Sequence, residues 1–293
     1  MESVLYESLR TVIPHVLERY DVRPGDLAEL ENFAADDSIL LTGSQARGEA
    51  TATSDLDLTV ICAAPPARRP GVRGYPSVFG DSVVAGQLNG LIVNVDYLRR
   101  DILRAVCDAL ASSAGPSSSS IANLGDLELR ALERAGSGIV LRLAAGDADL
   151  VARADVQRAR ANTAAIAFIE GRSNLRAVEG GDLDPVSRAL RLHAAAEYLL
   201  IAEVNALGSL TYNVKHLASR VRKLAGPAYL ELLDALAAAS GATTSSRPDV
   251  LASARAAMEV FLADLSADPD RALVRRMLRP VVNLPAKLDN RQG

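Results

Sequence analysis

Three aspartates and a glycine–serine pair are the residues of this sequence best placed to do chemistry. Asp55 and Asp57 stand two apart in Ser54-Asp55-Leu56-Asp57-Leu58, within a run that reads as a strand, so their carboxylates leave the same face. Two like charges that close repel one another, and a half-buried setting makes the repulsion costly unless a cation neutralises it. Magnesium suits that role, because it prefers a few carboxylates together with substrate phosphates over a full protein cage. Asp96 sits mid-way along a second apolar run, Val93-Asn94-Val95-Asp96, where an unpaired charge is expensive. If the two runs are neighbouring strands, the three carboxylates converge and can hold two metal ions ~3.5–4 Å apart.

Gly43-Ser44 ends a short apolar run and is expected to open a helical turn. A glycine there lets the backbone approach a phosphate, the amides of the turn point at it, and the Ser44 hydroxyl adds a donor. Arg47, one turn on, can reach a phosphate or pair with an acidic neighbour.

The elements that must carry these residues are legible in outline. Residues 2–20 have helical spacing, and Asp21 to Asp37 is acidic and interrupted by Pro24 and Gly25. Strands are expected at 38–42, 56–62, 82–88 and 91–98, the last two joined by Asn89-Gly90, a strong hairpin signal. Residues 63–82 hold four prolines and three glycines and read as a loop. A helix is expected over 101–110, and a serine-rich stretch at 112–123 reads as a linker. Beyond residue 124 the chain is rich in Ala, Leu and Arg with no convincing strand. Helices are expected at 124–135, 148–171, 186–206, 213–224, 227–239, 248–265 and 269–279. The Asp184-Pro185 pair suits a helix start. The expected fold is α+β: a mixed-sheet domain over 1–115 and an all-α helical bundle over 116–293.

The whole chain narrows the partners. Its 293 residues suffice for two domains with real cores. Thirty-two basic and 36 acidic residues leave a net charge of −4, and there is no Trp, with seven Tyr and four Phe. A broad polyanion-binding surface is normally more basic, and a single-strand groove more aromatic, so a small substrate is favoured over an extended nucleic acid. Cys62 and Cys107 are the two cysteines, too few for a disulfide framework or zinc spacing. The acidic N-terminus does not suit a signal peptide, and no apolar run approaches a membrane span, so a cytoplasmic protein is expected. The Ala-rich helical surface leaves room for a homodimer.

Taken in order, Leu41-Thr42-Gly43-Ser44, then Asp55-Leu56-Asp57, then Asp96 resembles the DNA polymerase β-type nucleotidyltransferase superfamily. Gly43-Ser44-Gln45-Ala46-Arg47-Gly48 followed by Ser54-Asp55-Leu56-Asp57-Leu58 is similar to bacterial small-molecule and stand-alone members. The resemblance covers about residues 38–98. It implies an N-terminal polymerase β-like nucleotidyltransferase domain with a helical substrate-binding domain behind it. Gly43 and Ser44 would bind the triphosphate, with Arg47 beside them. Asp55 and Asp57 would ligate both of two Mg2+ ions, and Asp96 would complete the metal site for the attacking hydroxyl. The implied reaction moves a nucleoside monophosphate, AMP first, from a nucleoside triphosphate such as ATP to a hydroxyl of a small-molecule acceptor, with release of pyrophosphate.

In the helical half, Lys215, Ser219 and Arg222 share one helix face. Similar enzymes place a lysine from this domain on the triphosphate, which makes Lys215 the first candidate; a solvated basic face is the alternative. Glu197 lies in the mostly apolar run Ala194–Val204 and needs a partner. His193 is one, and a role for Glu197 as base on the acceptor hydroxyl is the other reading. Arg188 and His193 also resemble the ribonuclease motif of HEPN domains, which accompany minimal nucleotidyltransferases in toxin–antitoxin modules. A protein acting on a protein or RNA partner, or a catalytically quiet binding partner, is therefore the alternative function.

Overall fold

The computed structural model describes residues 4–28, 33–65, 74–76, 82–112, 121–122, 124–211, 216–240 and 249–282. The chain divides into two compact units that interleave in sequence. One comprises Met1–Ala109 and Leu124–Val156; the other comprises Leu110–Asn123 and Gln157–Gly293.

The first unit is built on a six-stranded sheet of order β3-β4-β5-β2-β1-β6. Its strands are β1 Ser38–Thr42, β2 Leu56–Cys62, β3 Gly74–Pro76, β4 Ser82–Leu88, β5 Leu91–Arg99 and β6 Ile139–Arg142. The β2–β5 pair is parallel, and the other neighbours run antiparallel, which gives the expected mixed sheet. β4 and β5 form the expected hairpin. Asn89 and Gly90 both have positive φ, 48° and 93°, as a two-residue turn of the primed type requires.

Alternation along the strands divides the sheet into two chemically different faces. Ile39, Leu41, Leu58, Val60, Val93, Val95 and Tyr97 form one core with Leu5, Leu9, Ile13, Val16 and Leu17 of the N-terminal helices. The expected single helix over 2–20 is in fact two, α1 Val4–Val12 and α2 Pro14–Arg19, because Pro14 has no N–H to continue the ladder. The alternate positions, Thr42, Asp57, Thr59, Asn94 and Asp96, share the opposite face. After α3 Pro24–Ala28 and α4 Gly43–Ala46, the chain leaves the sheet through α5 Arg100–Ser112.

Beyond residue 124 the described residues include a strand that periodicity does not reveal. Helix α6 Asp126–Ser137 is followed by β6, which adds to β1 at the sheet edge. Four residues, each partly exposed or exposed, are too short a run to alternate visibly. Helix α6 and β6 thus return the chain to the first unit, and α7 Ala148–Ala152 follows.

The second unit is helical: α8 Val156–Glu179, α9 Pro185–Ala206, α10 Leu217–Leu224, α11 Pro227–Ala239, α12 Val250–Ala267, a 3-10 turn at Pro269–Arg271 and α13 Ala272–Leu278. Asp184 caps α9 as expected, accepting hydrogen bonds from the Val186 and Ser187 amides, with Pro185 in the first turn. The core is rich in alanine, with Phe168 and Phe261 stacked 4.8 Å apart. Small residues there let helix backbones approach: a Cβ on Gly171 would lie 3.1 Å from Leu199 Cγ and 3.3 Å from the Ala195 carbonyl. Glu203 and Arg271, each nearly sealed from solvent, form a bidentate pair at 2.7 and 2.8 Å within the unit. No helix among the described residues is long and apolar enough to cross a membrane.

Candidate functional site

The polar face of the sheet converges where β1 ends and β2 begins. Thr42 lies opposite Asp57 in the β1–β2 ladder, and the chain then turns sharply at Gly43, φ 68°. That left-handed turn tucks Gly43 against Asp57. A Cβ at Gly43 would collide with the Asp57 carboxylate, so glycine is demanded both by φ and by space. Ser44 follows, partly exposed, in the single turn of α4.

Asp55, just before β2, and Asp57, within it, are brought together as expected, both partly buried. The group between them is an amide. Asn94 Nδ2 donates to Asp57 Oδ1 at 3.1 Å and to Asp55 Oδ2 at 3.3 Å. The parallel register places Asn94 directly beside Asp57 and Asp96 beside Thr59. Asp96 therefore sits two residues further along β5, about 6.6 Å of strand. Among the described residues no three of His, Cys, Asp and Glu gather as a metal site, so the expected convergence of Asp55, Asp57 and Asp96 is not formed.

Asp96 is held instead by α6. It is 2% exposed, and its Oδ2 pairs with Arg130 at 2.9 Å and, still more closely, with Arg134. Arg134 also donates to Thr59 Oγ1 at 3.1 Å, and Thr59 shares a hydrogen bond with Thr42 Oγ1 at the same distance. Asp96 Oδ1 is buried with no hydrogen-bond partner among the described residues. Sequence reasoning missed both arginines. Their only signal is the i, i+4 spacing on α6, which an ordinary solvated helix face shares.

Arg47 takes the acidic option that its position left open. It pairs with Glu49 at 2.9 Å and with Glu133 of α6 at 3.2 Å.

The donor set suits a hard divalent cation. Asp55 and Asp57 are neighbouring carboxylates with no Lys, Arg or His paired to either among the described residues, and an amide lies beside them. Oxygen donors of this kind are what magnesium selects.

The expected sites in the second unit are less assembled. Lys215 lies outside the described residues. On α10, Ser219 Oγ donates to the His216 carbonyl, and Arg222 is exposed. Glu197 is partly buried on α9 without a hydrogen-bond or ion-pair partner among the described residues, so the expected link to His193 is not formed. Arg188 and His193 are both exposed on the same helix.

Comparison with known proteins bears on the first unit. No curated protein matches the chain. Among solved structures, a nucleotidyltransferase-like protein from Exiguobacterium sibiricum 255-15 aligns over 92% of this chain and 81% of its own. The identity is 14% and the TM-score 0.42, too distant to bear on the site. A family model, the nucleotidyltransferase domain, matches residues 26–108. That stretch holds Gly43, Ser44, Asp55, Asp57, Asn94 and Asp96, and ends before α6. Over residues 26–108, less than a third of its length, this chain is thus similar to the nucleotidyltransferase domain.

Proposed function

We propose that the protein transfers a nucleoside monophosphate, AMP first, from a nucleoside triphosphate to a hydroxyl of a small molecule. The acceptor oxygen forms a bond to the α-phosphorus as the bond from that phosphorus to the β-bridging oxygen breaks. Pyrophosphate leaves, and the hydroxyl proton passes to solvent. The observation that carries this reading is the Asp55–Asp57 pair, uncompensated by any described cationic side chain, packed against the glycine of a Gly-Ser turn.

Asp55 and Asp57 would hold a magnesium ion, whose positive charge would offset the negative charge that develops as the leaving group departs. The chain's own part is positional. The tight turn at Gly43, packed against Asp57, would offer its backbone amides and the partly exposed Ser44 hydroxyl as donors to a triphosphate tail. Thr42, bonded to the Asp57 carbonyl at 3.3 Å, fixes the strand from which Asp57 projects. Phosphoryl transfer depends mainly on such positioning and charge neutralisation. The choice of a small acceptor rests on the net charge of −4 and the lack of tryptophan, which argue against a long nucleic-acid track.

Thermal unfolding with each of the four nucleoside triphosphates, with and without magnesium, tests the reading. A ligand at 100 times its dissociation constant adds about 2.7 kcal/mol. One triphosphate should stabilise the wild type only when magnesium is present, and the Asp55→Asn/Asp57→Asn variant should lose the effect. No stabilisation at millimolar concentrations would remove the transferase reading.

A further inference from the structure

Asn94, not Asp96, is the β5 side chain that the fold brings to the Asp55–Asp57 pair. We propose that Asn94 is the third protein donor of the cation site, and that Asp96 is a positioning residue which fastens α6 to the sheet. The proposal rests on the preceding reading, that Asp55 and Asp57 hold a divalent ion.

Three observations carry it. First, register: Asn94 is the direct neighbour of Asp57 across the β2–β5 ladder, whereas Asp96 is the neighbour of Thr59. Second, chemistry: the Asn94 amide already touches both carboxylates through Nδ2. Rotating the amide by half a turn exchanges donor for acceptor with little change of shape, and it turns Oδ1 towards a cation between the same carboxylates. Carbonyl oxygens are ordinary ligands of hard divalent ions. Third, charge: Asp96 already faces two guanidinium groups, Arg130 and Arg134. A dication drawn to Asp96 would meet two positive charges, whereas at Asp55 and Asp57 two negative charges match its own. On this assignment the chain itself holds one ion rather than two.

Asp96 Oδ1, buried without a hydrogen-bond partner among the described residues, gives the competing outcome its physical basis. Manganese(II), followed by electron paramagnetic resonance and by calorimetric titration of the full chain, distinguishes the two. The wild type should take up one Mn2+ per chain. Asn94→Leu should weaken uptake at least 10-fold, Asn94→Asp should tighten it about 10-fold, and Asp96→Asn should leave it within 3-fold. Tightening by Asn94→Asp is an effect that a misfolded variant cannot imitate. If Asp96→Asn abolishes uptake while both Asn94 variants bind like wild type, Asp96 is the ligand and the proposal is overturned. If the wild type takes up no manganese, the cation reading of the preceding subsection fails as well, and that result stands apart from the variant pattern.

Discussion

Gly43 and Asp57 occupy a space that has room for only one side chain. A Cβ on Gly43 would lie 2.9 Å from Asp57 Cγ and 3.0 Å from its Cβ, closer still to a carboxylate oxygen, and the residue also holds φ at 68°. The turn that would present a phosphate and the carboxylate that would hold its counter-ion are therefore coupled mechanically.

Gly43→Ala consequently displaces Asp57 rather than merely stiffening the turn. The left-handed conformation alone costs roughly 1–2 kcal/mol for a residue with a Cβ. The fold should survive that loss, with a lower denaturation midpoint. Magnesium-dependent stabilisation by the triphosphate should fall by more than 10-fold in affinity. An alanine variant that binds the metal–nucleotide complex like wild type would show that the two elements are independent.

Asp96 anchors α6 through two arginines, so its removal should be read first as a structural loss. Asp96→Asn leaves Arg134, itself largely buried, facing an uncharged amide. Breaking one side of a buried pair typically costs about 3–5 kcal/mol. The first unit should unfold at correspondingly lower denaturant, while Arg134→Met combined with Asp96→Leu should restore part of the loss. Equal stability of the single and double variants would show that the pair is not coupled.

Arg47 is engaged by carboxylates in this structure, and its substitution should report that engagement. The pairs with Glu49 and Glu133 are partly exposed, with side-chain exposures of 25%, 32% and 13%, so Arg47→Ala should cost at most about 1 kcal/mol. Triphosphate affinity should change less than 3-fold. A 10-fold or larger loss, measured by titration calorimetry, would mean that Arg47 abandons Glu133 for the phosphates when nucleotide binds.

How much of this site was legible follows from the range of the interactions. The turn at Gly43, the two-residue step from Asp55 to Asp57 and the Asn89-Gly90 hairpin depend on neighbours in sequence, and periodicity exposes them. Asn94 stood in plain view within Val93-Asn94-Val95-Asp96, but its role depends on the register between β2 and β5, which is fixed by strand pairing rather than by local pattern. The partners of Asp96 lie 34 and more residues away, on a helix whose arginines look like any solvated face. Strand β6 failed to register for a different reason: it is four residues long and none of them is buried, so there is too little pattern to read.

Glu203 shows the same limit in the second unit, and it yields a sharp prediction. Its carboxylate lies in an apolar stretch of α9, and the residue that answers it, Arg271, is 68 positions on. The guanidinium also reaches Asp264 at 3.3 Å and lies over the Phe261 ring. Burial, with Glu203 beside it, holds the Tyr229 phenol well above the usual tyrosine range, so it remains protonated at any pH at which the protein is studied. Arg271→Met therefore strands a negative charge among alanines and a neutral phenol, and should destabilise the helical unit by about 3–5 kcal/mol. Replacing both partners, Glu203→Leu with Arg271→Met, removes the stranded charge and should recover most of that loss. Chemical denaturation followed by far-ultraviolet circular dichroism, which reports mainly on helix, decides the matter. If the double variant is as unstable as the single one, the pair contributes through packing of the arginine stem on Phe261 rather than through its charge.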